Sequence, residues 1–360
     1  MRRHGGVLVR VLSALVVVSV GPAGASTACA QTKADTPNNT ITAVDGIQVG
    51  HHTLTERPTG CTVILADGGA VGGVSQRGGA PGTRETDLLH PLNMVDTVNA
   101  VVLAGGSAFG LDAASGTVRW LDEHNIGFDT RIAKVPIVPA AILFDLTVGE
   151  NPKIHPTADC GYQAAAVASK NGVSEGSVGA GAGATVGKLR GPAGLVKSGL
   201  GSAAIRMPNG LVVGAIVAVN AVGDIVDPAT GRIVAGVRGG DGAFLDARKL
   251  LRSGQLMERP RAGENTTIGL VATNAKLTKD QTNRMALMAD DGLARAIVPS
   301  HTPGDGDTVF ALATGRWAGE AELTVIGALA AEALADAVVR AATQATSVAG
   351  IPAARDLSRR

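Results

Sequence analysis

The run Glu264-Asn265-Thr266-Thr267-Ile268-Gly269-Leu270-Val271-Ala272-Thr273-Asn274 places a hydroxyl directly after an asparagine, at the mouth of an apolar, β-branched segment. Upstream, residues 238–265 are charged and Gly-rich and suit an exposed linker, whereas Thr267 to Thr273 suits a buried strand. A solvated linker that meets a core strand is the setting expected of a self-cleavage site. Scission of the Asn265–Thr266 bond would make Thr266 a new N-terminus, whose α-amine can act as general base for its own hydroxyl. The plainer alternative is that Thr266 and Thr267 are β-favouring residues at a strand start.

Two further places carry groups suited to acyl chemistry. Asn220 closes the apolar run from Leu211 to Val219, and a polar amide at a buried strand end must find a partner. Its side-chain N–H could serve a developing oxyanion, an interaction worth ~3 to 4 kcal/mol of transition-state stabilisation elsewhere, or it could simply cap the turn into Asp224. Asp305-Gly306-Asp307 stands just before the strand-like Thr308 to Ala313, with two carboxylates on one face if strand geometry begins there. They suit acid–base work or the holding of an ammonium group, and otherwise a solvated turn.

Other motifs fail on context. Gly172-Val173-Ser174-Glu175-Gly176 has the letters of a nucleophile elbow, but that turn needs a strand before the serine and a helix after it. Here a helical segment precedes the motif and a glycine-rich turn follows. Gly179 to Leu189 (GAGAGATVGKL) invites a phosphate-loop reading, yet a Walker motif needs Gly where this chain has Ala182 and Ser or Thr where it has Leu189. Close backbone packing explains those glycines better. His51, His52, His90, His124, His155 and His301 form no recognised ligand set, so neither metal nor cofactor is expected.

The elements that must position these groups read as mixed α/β. Strand patterns cover Ile41 to Val49, Cys61 to Ala66, Ala70 to Val74, Ala100 to Ala104, Lys134 to Val138, Leu211 to Asn220, Thr266 to Thr273 and Thr308 to Ala313. Helical periodicity covers Gly110 to His124, Ala158 to Lys170, Lys279 to Ala296 and Gly319 to about Thr346. Without regular strand–helix alternation, this suits sheet layers covered by helices better than a doubly wound parallel sheet. Aromatics are only 2% of the chain and Gly totals 49, so Ala, Val, Leu and Ile must fill the core.

Met1-Arg2-Arg3, the apolar stretch Val7 to Val20 and the small residues up to Ala28-Cys29-Ala30 read as a secretory signal peptide cleaved before Gln31. Its apolar part is shorter than the ~20 residues of a membrane span. Lipidation at Cys29 ranks second, since Ser26 stands where a lipoprotein signal has a branched aliphatic. No later apolar run is long enough to cross a bilayer, so an exported protein, periplasmic or extracellular and free of the membrane, is expected. Net charge is +1 with Lys and Arg scattered, which makes nucleic acid a poor partner. Cys61 and Cys160 remain after the signal; an oxidising compartment permits their pairing, and two buried thiols are equally admissible.

Several ordered segments resemble the DmpA-type aminopeptidases, the L-aminopeptidase/D-esterase family that includes β-peptidyl aminopeptidases. They are Val49-Gly50-His51, Gly60-Cys61-Thr62-Val63, GGAPGTRETDLL from Gly78, LAGGSAFGLDAA from Leu103, GAGAGATVGKL from Gly179, VNAVGDIVDPATG from Val219, and ENTTIGLVATNA. The resemblance spans nearly the whole mature chain. It implies a four-layer αββα sandwich that folds as an inactive precursor and cleaves itself once. An α chain from Gln31 to Asn265 and a β chain from Thr266 to Arg360 would then stay assembled in a homo-oligomer of αβ heterodimers.

By the same resemblance Thr266 is the nucleophile, Asn265 supplies the carbonyl attacked during maturation, and Asn220 is the oxyanion-hole asparagine. The family's Ser-x-Glu pair falls on Asp305 and Asp307, with neither residue type identical. The family's active-site tyrosine falls on Phe144, a substrate-binding position here without its hydroxyl, which leaves substrate preference open. The implied activity releases N-terminal amino acids from small peptides or amino-acid amides through an acyl-enzyme on Thr266. Two alternatives share the fold: acyl transfer of the ornithine-acetyltransferase type, and a catalytically silent secreted binding protein.

Overall fold

A computed structural model describes residue 8, residues 38–254 and residues 264–357. Its largest sheet contains β1 (Ile47–Thr53), β2 (Gly60–Gln76), β3 (Thr83–Arg84), β4 (Thr97–Ala104), β5 (Ala140–Ile142), β6 (Leu200–Arg206), β7 (Val212–Asn220), β8 (Thr266–Thr273) and β9 (Thr308–Ala313). The helices that matter are α1 (Ala113–Glu123), α2 (Ala158–Ala166), α3 (Ala247–Ser253), α4 (Lys279–Ala296) and α5 (Leu323–Thr343). Strands pair in the order β6-β7-β8-β9-β2-β4-β5-β3, and β1 pairs with the first half of β2.

The long β2 explains how one ladder makes two layers. Pairing with β4 shifts register between Leu65 and Ala70, where Gly68 and Gly69 take positive φ of 79° and 83°, a conformation that strains any residue with a Cβ. Before this bend β2 runs between β1 and β4; after it, β2 pairs with β9. Ile64, Val101 and Leu103 from one leaf then bury against Ile216, Ile268, Leu270 and Phe310 from the other.

Alternate residues of the same strands face outward into two further cores, as the two-residue period of a strand requires. Val63, Ala100 and Val102 pack with Ala113, Leu121 and Ala164 of α1 and α2. Val217, Val219 and Val271 pack with Met285, Leu293, Leu334 and Val338 of α4 and α5. The architecture is therefore α/β in four layers, helices, sheet, sheet, helices, the αββα sandwich that the resemblance implied. Small residues permit the tight approach: a Cβ on Gly201 of β6 would stand 2.0 Å from the Ala337 carbonyl oxygen of α5.

Local signals set the helix ends. Thr278 and Gln281 form a capping box at the start of α4, satisfying two otherwise orphaned N–H groups. The Glu322 carboxylate accepts from Thr324 and Val325 N–H and starts α5 later than the Gly319 expected. Other boundaries also differ from expectation. The patterns at Cys61 to Ala66 and Ala70 to Val74 belong to the single strand β2, and Ile41–Ala43 is a 3-10 turn before β1. The expected strand at Lys134 to Val138 is reduced to Lys134–Val135, exposed and paired only with Phe128–Asp129. Residues 238–265 are not wholly an exposed linker: α3 forms there, Ala247 is buried with Leu189, Val222 and Val237, and Asn265 is buried too. Residues 255–263, and the signal segment apart from Leu8, lie outside the described residues.

Cys61 and Cys160 are joined in a disulfide that ties β2 to α2, with a Cα–Cα distance of 6.1 Å. It closes a loop across a sequence separation of 99 residues, which restricts the unfolded chain. Replacing both cysteines by Ala should lower unfolding stability by about 2 to 4 kcal/mol, read from urea titrations without reductant; an unchanged midpoint would deny the bond a stabilising role.

Candidate active site

Strand pairing brings together groups far apart in sequence. Thr266 opens β8, where antiparallel pairing with β7 sets Asn220 opposite Thr266. Parallel pairing with β9 begins at Ile268 and Thr308, and three residues earlier on each side a further bridge sets Asn265 beside Asp305. Asn265, Thr266, Asn220, Asp305 and Asp307 are all buried. Five of the residues singled out in the sequence thus meet at one strand end.

The Asn265 carbonyl is the focus. The Thr266 hydroxyl donates to it at 2.5 Å, and the Gly306 backbone N–H donates to it at 2.9 Å. Gly306 has no room for a side chain, since a Cβ would stand 2.9 Å from Thr266 Oγ1 and 2.8 Å from the Ala80 carbonyl oxygen. Residues of the GGAPGTRETDLL segment brace this turn: Ala80 N–H donates to the Asp305 carbonyl, and Gly78 N–H to that of Asp307. The Asn265 side-chain amide is buried with neither end hydrogen-bonded among the described residues, a costly state for a polar group.

The two carboxylates differ. Asp307 Oδ1 accepts from Thr267 N–H at 2.7 Å, while its Oδ2 accepts from the His301 N–H at 3.0 Å and lies 3.0 Å from His301 Nδ1. Asp305 Oδ2 accepts from Thr302 N–H at 2.7 Å, but its Oδ1 has no hydrogen-bond partner among the described residues. Burial pushes the Asp305 carboxyl up to about 6, and the Asp307 charge adds to the rise; the Thr302 bonds and Lys188 oppose it.

Lys188 was not anticipated as a site residue. The glycine-rich run delivers it as a half-buried lysine whose Nζ donates to Glu264 O at 2.8 Å, Asn220 Oδ1 at 2.9 Å and Asn220 O at 3.0 Å. Burial lowers it to about 7, against the charges of Asp305, Glu264 and Asp145. An amine and a carboxyl that both titrate near neutrality, beside one peptide bond, make a proton-transfer environment.

The Asn220 side-chain amide is hydrogen-bonded at both ends. Its Nδ2 donates to Phe144 O at 2.8 Å and to Glu264 O at 3.4 Å, and its Oδ1 also accepts from Thr185 N–H at 3.1 Å. Phe144 enters this network through its backbone carbonyl, with its ring half-buried. Ser174 of the GxSxG match sits on an exposed loop after α2, while Glu175 pairs with Arg340. Among the described residues no group of three or more His, Cys, Asp or Glu is arranged to hold a metal ion.

The profile of peptidase family S58 matches residues 39–355. The chain belongs to peptidase family S58. An uncharacterised aminopeptidase of Mycobacterium tuberculosis (strain ATCC 25618 / H37Rv) is 45% identical over 345 residues, covering 89% of this chain and 98% of that protein. A 6-aminohexanoate-oligomer endohydrolase of Paenarthrobacter ureafaciens is 30% identical over 320 residues, covering 82% of this chain and 84% of its own. Among solved structures, a Burkholderia sp. beta-aminopeptidase superposes with TM-score 0.66 at 21% identity, covering 89% of this chain and 92% of that one. The L-aminopeptidase D-Ala-esterase/amidase from Ochrobactrum anthropi, described as a variant of the Ntn hydrolase fold, gives 0.64 at 21% identity, covering 86% and 87%. This S58 protein is an aminopeptidase- or amidase-type hydrolase acting on peptide or amide bonds.

The buried Asp305 makes a testable stability statement. Its folded-state carboxyl, raised from 3.8 to about 6, holds a proton more tightly than in the unfolded chain. Its ionisation therefore costs stability progressively across that window, and the full cost is present above it. Asp305→Asn should be more stable than the parent at pH 7.5 by on the order of 2 kcal/mol, with the gain gone at pH 3.5. Urea titrations at both pH values measure this, and equal stability at pH 7.5 would contradict it.

Proposed function

We propose that this S58 hydrolase is an exported, self-processing N-terminal-threonine enzyme. In the first stage Thr266 Oγ attacks the Asn265 carbonyl carbon, its proton passes to the buried base, and the C–N bond breaks as the nitrogen takes up a proton. Water then hydrolyses the resulting ester, leaving a carboxylate on Asn265 and a free α-amine and hydroxyl on Thr266. The observation that carries this reading is the Asn265 carbonyl oxygen held between the Thr266 hydroxyl and the Gly306 N–H, a donor positioned for the oxyanion of attack.

Before scission Thr266 has no free amine, so maturation needs another base, and the Lys188–Asp305 neighbourhood is suited to that. After scission the α-amine, with an ordinary pKa of about 7.7 to 8.0, takes over for substrates. Departure of the linker side would release the Asn220 amide from Glu264 O and leave it free to meet a substrate oxyanion. The substrate class we infer is short peptides or amides of amino acids, with the amine side leaving first and water completing the cycle. The disulfide favours an oxidising compartment and so supports export. The αβ heterodimers are proposed to associate as a homo-oligomer, by the same family resemblance.

Thr266→Ala should purify as one uncut chain without activity on a panel of amino-acid anilides, while the parent separates into two fragments by intact mass. A variant that is still cut before residue 266 and still turns over would remove the proposal.

A further inference from the structure

Behind Asp307 lies a second titratable cluster with no contact to Thr266. Asp290 of α4 is fully buried, and neither carboxylate oxygen has a hydrogen-bond partner among the described residues. Arg77, at the end of β2 and 43% exposed, reaches only to 3.5 Å from Asp290 Oδ2. The buried Ser75 hydroxyl faces this carboxylate and favours its ionised form, without a well-formed hydrogen bond. Leaving a carboxylate so poorly satisfied is costly, and such groups in native structures call for a functional reason.

Arg77 ties Asp290 to this turn, since its backbone N–H donates to Asp307 O at 3.2 Å while its side chain pairs with Asp290; His301 lies against Asp307 itself. It presents both its backbone N–H and Nδ1 to Asp307 Oδ2, from a positive φ of 56° that a residue with a side chain adopts only under constraint. Asp307 Oδ1 in turn holds Thr267 N–H, next to the end of β8 where Thr266 stands. We propose that His301 and Asp290 are positioning residues of the hydrolase: His301 clamps Asp307, and Asp290, anchored to the same turn through Arg77, supplies the negative charge that favours the clamp. This rests on the Thr266 reading of the site.

The groups facing His301 are Asp307 on its own turn, Asp290 from α4 and Arg77 from β2. Burial works against its charged form, but the Asp307 bond and the charges of Asp307 and Asp290 outweigh burial and Arg77, so its pKa lies above the ordinary value. Burial raises Asp290 to about 6, with Ser75, His301 and Arg77 favouring ionisation and Asp307 disfavouring it. The charges of Asp307 and Asp290 thus favour the imidazolium that donates to Asp307.

Two variants of the full chain test this, Asp290→Asn and His301→Gln, each also made in the uncut Thr266→Ala background for NMR titration of the imidazole. In Asp290→Asn the His301 midpoint should fall by about half a pH unit or more, as loss of a neighbouring negative charge requires. In the cleavage-competent chain kcat should fall roughly tenfold with KM within about twofold, the mark of a lost transition-state interaction. His301→Gln, which keeps a donor toward Asp307, should abolish the inflection in the kcat profile that Asp290→Asn moves to lower pH. An unmoved His301 midpoint, or pH profiles that superimpose on the parent's while only thermal stability changes, overturns the proposal. Cleavage of the parent anywhere but before Thr266 overturns the nucleophile reading instead, and the NMR midpoint still decides the Asp290–His301 coupling.

Discussion

The short bond from the Thr266 hydroxyl to the Asn265 carbonyl, shared with the Gly306 N–H, is the constraint on which the site depends. It requires β8 to begin at Thr266, Asp305-Gly306-Asp307 to turn against it, and residues 77–80 to hold that turn in place. The nine-residue strand β7 fixes the other side, since its register sets Asn220 opposite Thr266. A slip of one residue in either pairing would turn every side chain of β8 to the opposite face. Register here is therefore both a packing and a chemical requirement.

The four layers also keep the site dry. Both faces of β8 are covered, by Ile216 and Phe310 on one side and by Val217 and the helices α4 and α5 on the other. In that environment charges interact strongly and protonation states shift. Lys188 falls and Asp305 rises until both titrate close to neutrality. Stability is given up locally for this: Asn265, Asp305 and Asp290 each bury polar atoms without partners among the described residues. Such unsatisfied buried polar groups call for a functional reason.

Much of this could be read in the sequence, for reasons that differ by element. Thr266 to Thr273 and Leu211 to Asn220 announced themselves as buried strands because runs of β-branched and apolar residues have few other uses. The capped helix α4 was equally plain. By contrast β6 went unseen, since Gly201-Ser202-Ala203-Ala204 has weak strand propensity and owes its strand to pairing with β7. The bend in β2 looks in sequence like a gap between two strands. Lys188 was hidden inside a glycine-rich run judged only by whether it could hold phosphate. Gly306 acts through a backbone N–H, which no residue type reveals. Asp290 and His301 lie far apart from Thr266 in any local pattern, and only the packing of α4 behind the Asp307 turn brings them to bear.

Trapping the covalent intermediate tests most directly that a threonine oxygen at position 266 performs the chemistry. The processed protein would be mixed with a slowly hydrolysed amino-acid ester, quenched in acid and digested for mass spectrometry. The acyl mass should appear on a peptide whose first residue is Thr266, on the side-chain oxygen. Labelling of any other residue, or a β chain beginning elsewhere, would contradict it.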